Sequence, residues 1–426
     1  MRFAGIDTRD FTDEEMLFFV RHKGREHFFT KIHGEQTVQA LFGHVRRFYT
    51  ISEYPGEDHW IDLDHGKPAD LEVADYTLFY SAGIHEALPA IISRCRGLRS
   101  IEFAEAKELV LLATRYFRQL FTTHSYRLIV FHIIDNYVLD VMHRVASHLE
   151  IRSLCLSEWF IAPYRRHTIF GELHEHREPD EAEVTAIVEY LSAPRKAFWL
   201  DGIDRANRRV LALRLLLRAW VIHFVRGFFG RRVLGRRGYE YRFARNLTVQ
   251  RVTSLWVRGL FDSFTAEELE RGRDHMIVLP LHTYPEANVD YWMSNYRDAD
   301  YYSTIFEALS FFRERGFTVL VKEHPGFIYQ RERSFYRALK SFENVRLIDP
   351  FSTEAALLDQ VSLLLVWHGT MGIEAIMQGR KVVCFDANYY SEGVLPPYQN
   401  YESARVLTPE ERREFVRRLL RGVQAP

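Results

Sequence analysis

Short apolar runs alternate with stretches of helical periodicity along most of the chain. In a mixed first hundred residues, 17–20 and 78–80 read as short buried strands and 36–48 as a helix. From Arg127 the pattern sharpens into an apolar strand at 128–131, helical spacing over 136–149 and a second strand at 151–156. Strand, helix, strand is a βαβ unit, which implies a parallel sheet covered by helices. Residues just past such strands border the ligand crevice, and here they include Asp135 and Glu158.

An acid-rich first turn at 178–184 opens a helix that ends near Ala193. The composition then changes. Between Arg205 and Arg251 lie 13 arginines, no lysine and one acid, Glu240, with Trp220, Phe224, Phe228 and Phe229 interleaved. Such a segment suits an anionic bilayer or an acidic partner, or else a solvated connector whose arginines pair within the fold. A second α/β pattern follows, with strands at 276–280, 317–322, 345–348, 362–366 and 381–385 and helices at 302–315, 333–342, 353–360 and 372–378. The stretch 409–422 is an amphipathic helix with Phe415, Leu419 and Leu420 on one face. The expected organisation is an α/β domain at 1–200, an Arg-rich helical connector at 201–270, a second α/β domain at 271–405 and a final helix at 406–426. Two Rossmann-like domains facing a cleft make that cleft the default ligand site.

Composition removes whole classes of function. Of 426 residues, 47% are hydrophobic and 27% charged, and the net charge is -1, which argues against a nucleic-acid coat. Cys95, Cys155 and Cys384 form no C-x-x-C pair, so buried reduced thiols are expected and no structural zinc. The N-terminus carries one cation and no apolar stretch, so no secretory leader is expected. The best approach to a membrane span, 210–229, is interrupted by Arg214, Arg218 and Arg226. A cytoplasmic chain is expected, with a peripheral seat on the inner membrane face as the role its connector would confer.

Three clusters follow strands of the second half: Pro280 to Asn288, Lys322 to Pro325, and His368 to Ala375. In the third, a strand runs through Gly369, Thr370 and Gly372 into a helix, whose N-terminus and hydroxyl favour an anion. Glu374, read as a first-turn residue, could accept hydrogen bonds from sugar hydroxyls. The plainer alternative is that Gly372 allows close packing and Glu374 serves the helix dipole. Pro325 forces His324 into an extended conformation, and Lys322 shares its side of the strand by period two. That pair suits a phosphate; a core histidine with a solvated lysine is the alternative.

Asp298 and Asp300 spell the D-x-D of metal-dependent transferases, but their place before a helix favours N-capping. Glu172, His174, Glu175 and His176 lack a third ligand of fixed spacing and read as solvated polar residues. No Walker A, G-x-S-x-G or dinucleotide G-x-G-x-x-G is present, which disfavours NTPase, hydrolase and dehydrogenase readings.

Taken together, 280–288, Lys322-Glu-His-Pro325, Asn344-Val345 with Leu347-Ile-Asp-Pro350, and His368 to Ala375 resemble the bacterial capsule polysaccharide biosynthesis proteins, a group that includes retaining β-Kdo transferases. The resemblance is good over 275–392 and looser through Ser157-Glu158, 168–173 and 177–179. It implies a GT-B fold with the acceptor on the N-terminal domain and the nucleotide sugar on the C-terminal one. His324 and Thr370 would hold the donor phosphate and Glu374 its ribose. Glu286 falls where relatives carry an acidic nucleophile, and Glu158 is the candidate acid/base. His282 and His368 stand where relatives commonly carry Gln and Asn. No metal and no cofactor is implied. The partners are a nucleotide-sugar donor, a lipid-linked glycan acceptor and, through Arg205–Arg251, an anionic membrane, with no nucleic acid. The competing readings are a non-hydrolysing nucleotide-sugar epimerase, a polyol-phosphate transferase of the same fold, and an inactive scaffold that recruits enzymes to the membrane.

Overall fold

The computed structural model describes residues 2–20, 36–53, 56–63, 67–161, 164–193, 259–262, 266–284, 286–293, 300–324, 327–328, 331–348, 361 and 363–424, with isolated positions between 210 and 257. Most of the arginine-rich connector and the helix expected at 353–360 lie outside these.

The N-terminal domain contains β1 (Arg2–Phe3), β2 (Ile6–Asp7), β3 (Met16–Phe19), β4 (Tyr49–Ser52), β5 (His59–Trp60), β6 (Leu128–Phe131) and β7 (Arg152–Cys155). Strands β3 to β7 form one parallel sheet in the order β5-β4-β3-β6-β7. Short strands β8 (Ser157–Glu158) and β9 (Arg165–Arg166) follow. The C-terminal domain repeats the plan with β10 (Met276–Pro280), β11 (Thr318–Lys322), β12 (Val345–Ile348), β13 (Leu363–Val366) and β14 (Lys381–Cys384). Their order is β12-β11-β10-β13-β14, again all parallel. Both sheets therefore read third, second, first, fourth, fifth in chain order. The direction of winding reverses between β3 and β6 and between β10 and β13, which opens a crevice at those strand ends.

These strands are nearly continuous apolar runs because helices cover both faces; Leu128–Phe131 and Leu363–Val366 are wholly buried. The helix Tyr137–His148 begins where Asn136 accepts the Leu139 N–H at 2.9 Å. One expectation fails. Residues 78–80 are not a strand but part of the helix Val73–Ser81, which leads into Ile84–Arg94 and the long helix Phe103–Thr123. Arg118 on the last of these pairs with the buried Asp75 at 2.7 Å, a contact between distant segments that no local pattern announces.

The last elements return to the first domain. Helix Pro409–Arg421 packs on Glu181–Ser192. Arg413 reaches Glu181 at 2.5 Å, and Arg421 reaches Glu178 at 2.8 Å. Strand β15 (Val423–Gln424) then pairs antiparallel with β9, whose other neighbour is β8. A polar seam also joins the domains. Arg94 donates to the carbonyls of Tyr291 (3.0 Å) and Met293 (2.9 Å), and Arg99 pairs with the fully buried Asp290 at 2.8 Å. Gly171, at φ +91°, lies so close to Trp292 that an added Cβ would meet its Cβ at 2.4 Å. The three cysteines are free and buried. Among the described residues, no helix is long and apolar enough to cross a membrane.

Candidate functional site

Three loops leave the C-terminal ends of adjacent strands β11, β10 and β13, so the switch point itself brings them together. The β10 loop carries His282 and Glu286. His282 Nδ1 lies 3.0 Å from Glu286 Oε2, and the Thr283 hydroxyl donates to the same oxygen. Burial raises the Glu286 carboxyl. The hydrogen bonds from His282 and Thr283 and the positive fields of His282 and His324 outweigh it, and the net direction is down. A half-buried carboxylate is thus kept ionised and aimed by two donors. Glu286 also anchors the short helix Ala287–Asp290, its carbonyl accepting the N–H groups of Val289 and Asp290.

The β10 and β11 loops are held to each other by a buried pair that the sequence did not announce. Glu323 and Arg331 meet at 2.7 Å with no exposed side-chain surface. Glu323 also accepts the Tyr336 hydroxyl (2.5 Å) and the His324 N–H (2.5 Å), while Arg331 donates to the His282 carbonyl. Burial pushes the Glu323 carboxyl up, against which the Arg331 charge and these hydrogen bonds act. Tyr301 fixes the other side. Its hydroxyl accepts the His282 N–H at 2.8 Å, and its ring lies between Tyr284 and Trp367, each with centroids 4.8 Å away. Strand β11 ends at Lys322, which is buried, and His324 lies two residues beyond it, half-buried. Pro325 lies outside the described residues.

The β13 loop adds His368, Gly369 and Thr370. His368 is buried, and its imidazole is pushed down to about 3 by burial, with the charges of His282 and Arg166 acting the same way. It is a neutral ring at pH 7. Gly369 is the N-cap of helix Thr370–Met377, and Thr370 is exposed at its first position. Two expectations change here. The helix starts at Thr370, two residues earlier than expected, which places Glu374 beyond the first turn. Gly372 has the plainer role: its N–H bonds the Gly369 carbonyl at 3.1 Å, and a Cβ there would meet the Tyr390 hydroxyl at 2.4 Å. The amide of Gly372 is therefore taken by the protein itself.

Glu158 lies in β8, in register with Arg165 of β9. Asp135 sits at the seam, 3.7 Å from Arg96. Asp300 caps the helix Tyr301–Arg313 by accepting from Ser303, which is the N-capping role. The Glu172 cluster is not simply solvated: Glu172 accepts the N–H groups of Ile169 (2.8 Å) and Phe170 (2.6 Å) and pairs with His174 at 2.8 Å. That holds the loop whose Gly171 meets Trp292. No group of three His, Cys, Asp or Glu suited to a metal occurs among the described residues.

The strand ends and loops at this switch point carry His282, Glu286, Lys322, His324, His368 and Thr370, and residues 235–416 around them match the family model described as capsule polysaccharide biosynthesis protein. That stretch, less than half of the chain, is similar to the capsule polysaccharide biosynthesis family. The motifs that suggested this family all fall inside the matched residues, apart from the looser N-terminal ones. No curated protein matches the chain. Solved structures similar to it include the β-Kdo 2,7 transferase of Thermosulfurimonas dismutans KpsC, at 13% identity over 72% of this chain and 79% of that one, with a TM-score of 0.32. The β-Kdo 2,4 transferase of the same KpsC matches at 17% identity over 69% and 79%, with a TM-score of 0.31. The UDP-GlcNAc 2-epimerase of Methanocaldococcus jannaschii matches at 13% identity over 95% and 91%, with a TM-score of 0.23. Scores this low assign neither a residue nor a substrate to this chain.

Proposed function

We propose that the chain is a retaining glycosyltransferase of capsular polysaccharide assembly, which moves a sugar from a nucleotide donor to a lipid-linked glycan acceptor. The observation that carries this reading is Glu286, an ionised carboxylate held by His282 and Thr283 within the field of His324, at the switch point of a parallel sheet. Lys322, His324 and the helix beginning at Thr370 offer positive potential for the donor phosphate, which needs no metal ion. Glu286 attacks the anomeric carbon, the bond to phosphate breaks, and the nucleotide leaves with the electron pair. Glu158 takes the proton of the acceptor hydroxyl as that oxygen displaces Glu286 with a second inversion. The family resemblance favours a cytidine nucleotide carrying Kdo.

A nucleotide panel read by thermal shift tests the donor. A ligand at 100 times its dissociation constant stabilises by about 2.7 kcal/mol, enough to rank cytidine against uridine nucleotides. Glu286→Gln should abolish transfer while leaving cytidine monophosphate binding intact. Preference for a uridine nucleotide together with epimerisation of a UDP-sugar would replace the transferase with an epimerase. A seat on the inner membrane face is supported by Val210, Leu213, Leu217 and Val221, helical positions each about half exposed within the arginine-rich segment. Sedimentation with anionic but not neutral liposomes is the expected result; equal, negligible sedimentation with both removes that seat.

A further inference from the structure

Away from the crevice, the N-terminal domain holds a hollow of about 350 Å³ between the end of the helix Val73–Ser81, the second half of the helix Tyr137–His148 and Phe170. Asn136 caps the second of these helices at the crevice end of β6. His143 and His148 lie two to just over three turns beyond that cap, roughly 10–18 Å from the crevice at 5.4 Å per turn. The wall of the hollow is set in advance. Glu172 accepts the Phe170 N–H at 2.6 Å, and Arg94 and Arg144 lie 5.8 and 5.9 Å from the Phe170 ring centroid. The next residue, Gly171, abuts Trp292.

The polar groups around this hollow both give and take hydrogen bonds. Ser81 Oγ lies 3.3 Å from His148 Nε2, and Ser147 is exposed on the rim. His143 meets the Ser153 hydroxyl through Nδ1 at 3.0 Å, which leaves Nε2 for another partner. Burial pushes the His143 imidazole down, so at pH 7 the ring is neutral, with one donor and one acceptor. The nearby charges are already met. Arg144 pairs with the buried Asp140 at 2.8 Å, Arg94 donates to two carbonyls of the domain seam, and Glu172 adds a second carboxylate field at His143.

A phosphate or carboxylate only accepts hydrogen bonds, and it gains little from groups that are half acceptor and lie within two carboxylate fields. A sugar hydroxyl donates and accepts at once, as serine hydroxyls and a neutral imidazole do, and the Phe170 ring offers apolar surface to the C–H side of a sugar ring. The same chemistry continues outside. Tyr76 and Tyr80 are exposed one helical turn apart, the His85 ring lies 4.7 Å from that of Tyr80 between centroids, and Tyr80 directly precedes Ser81 on the rim. We propose that this hollow is a second carbohydrate site, separate from the crevice, which holds neutral sugar units of the acceptor chain. Its volume is at the small end of the roughly 300–1,000 Å³ of ligand pockets, which suits a short sugar segment rather than a nucleotide sugar. Tyr80 and Tyr76 take the units that follow. This deepens the acceptor part of the function proposed above and rests on it.

The test uses the full chain with maltotriose, chitotriose and mannotriose as probes, read by saturation-transfer NMR and titration, alongside Ser147→Trp and His148→Ala. Wild type should bind at least one trisaccharide at about millimolar strength. Ser147→Trp, at an exposed position, fills the hollow and should weaken that binding by about 10-fold or more, with melting unchanged. If the tryptophan disturbs the helix end, His148→Ala removes a ring from the rim and should weaken the same trisaccharide. Inorganic phosphate should not displace it. Displacement by phosphate would make the hollow an anion site and overturn the proposal, as would no binding of any of the three probes, or equal binding by wild type and both variants. Trisaccharide binding that Ser147→Trp abolishes, in a protein that transfers no sugar, would uphold the site and sink the transferase reading. Sugar transfer without trisaccharide binding would sink the site and leave the transferase standing.

Discussion

Replacing Arg331 by methionine separates two roles that the buried pair combines. The methionine side chain fills much of the space of the arginine stem, so little cavity is made. What remains is the Glu323 carboxylate, with no exposed side-chain surface and, among the described residues, the Tyr336 hydroxyl and the His324 N–H as partners. Breaking a buried pair by removing one member costs about 3–5 kcal/mol. That is a large share of the roughly 5–15 kcal/mol that holds a typical domain together. The sign of the pH effect follows from Glu323, whose carboxyl burial already pushes up and which loses its main opposing charge. A raised carboxyl contributes its stability at low pH and loses it as pH rises, so the deficit of Arg331→Met should shrink on acidification. The double variant Glu323→Gln with Arg331→Met removes both charges and should recover most of the stability. It still lacks the tie from Arg331 to the His282 carbonyl, and nucleotide affinity should stay reduced. Urea denaturation and nucleotide binding measured on the same three proteins check this. A single variant that loses less than about 1 kcal/mol refutes the premise of a tightly coupled buried pair. A double variant that regains full nucleotide affinity refutes the positioning role.

Gly372→Ala should cost about 1–3 kcal/mol by overpacking, since its Cβ would meet the Tyr390 hydroxyl at 2.4 Å; denaturation should show partial rescue by Tyr390→Phe. Gly171→Ala, at φ +91° and with its Cβ 2.4 Å from that of Trp292, should loosen the domain seam, visible as faster limited proteolysis between the domains. His368 titrates near about 3 in the folded chain against about 6.5 when unfolded, so the unfolded state takes up its proton first. Its share of stability should be constant above about pH 6.5 and fall by about 1.4 kcal/mol per unit below that. His368→Gln should flatten this limb in urea titrations between pH 7 and 4.

The strands that position the site were legible because each is a short, mostly apolar run, as in 276–280 and 363–366. The histidines stood out because they follow such runs at the strand ends of an α/β sheet, whereas Glu286 was singled out by the family resemblance. Residues 78–80 misled because three apolar residues fit a strand or one face of a helix equally well. The deciding contact, from Asp75 to Arg118, lies 43 residues away along the chain. Arg331 was silent for the same reason: it is defined by what it meets across the fold, and in sequence it is one arginine among many. Glu323 lay inside a noticed motif, yet its burial depends on Arg331 and Tyr336. The helix start at Thr370 was missed because threonine and methionine are indifferent there, and the strand's end alone locates it.

The closing strand sets Val423 directly beside Arg166. A protein shortened before that residue would bare one edge of β9 and slacken the backbone of Arg166, with every cleft residue still in place. A substitution that breaks the backbone pairing of Val423 would loosen the same edge, so the strand that follows the last helix is mechanically a component of the small sheet that carries Glu158.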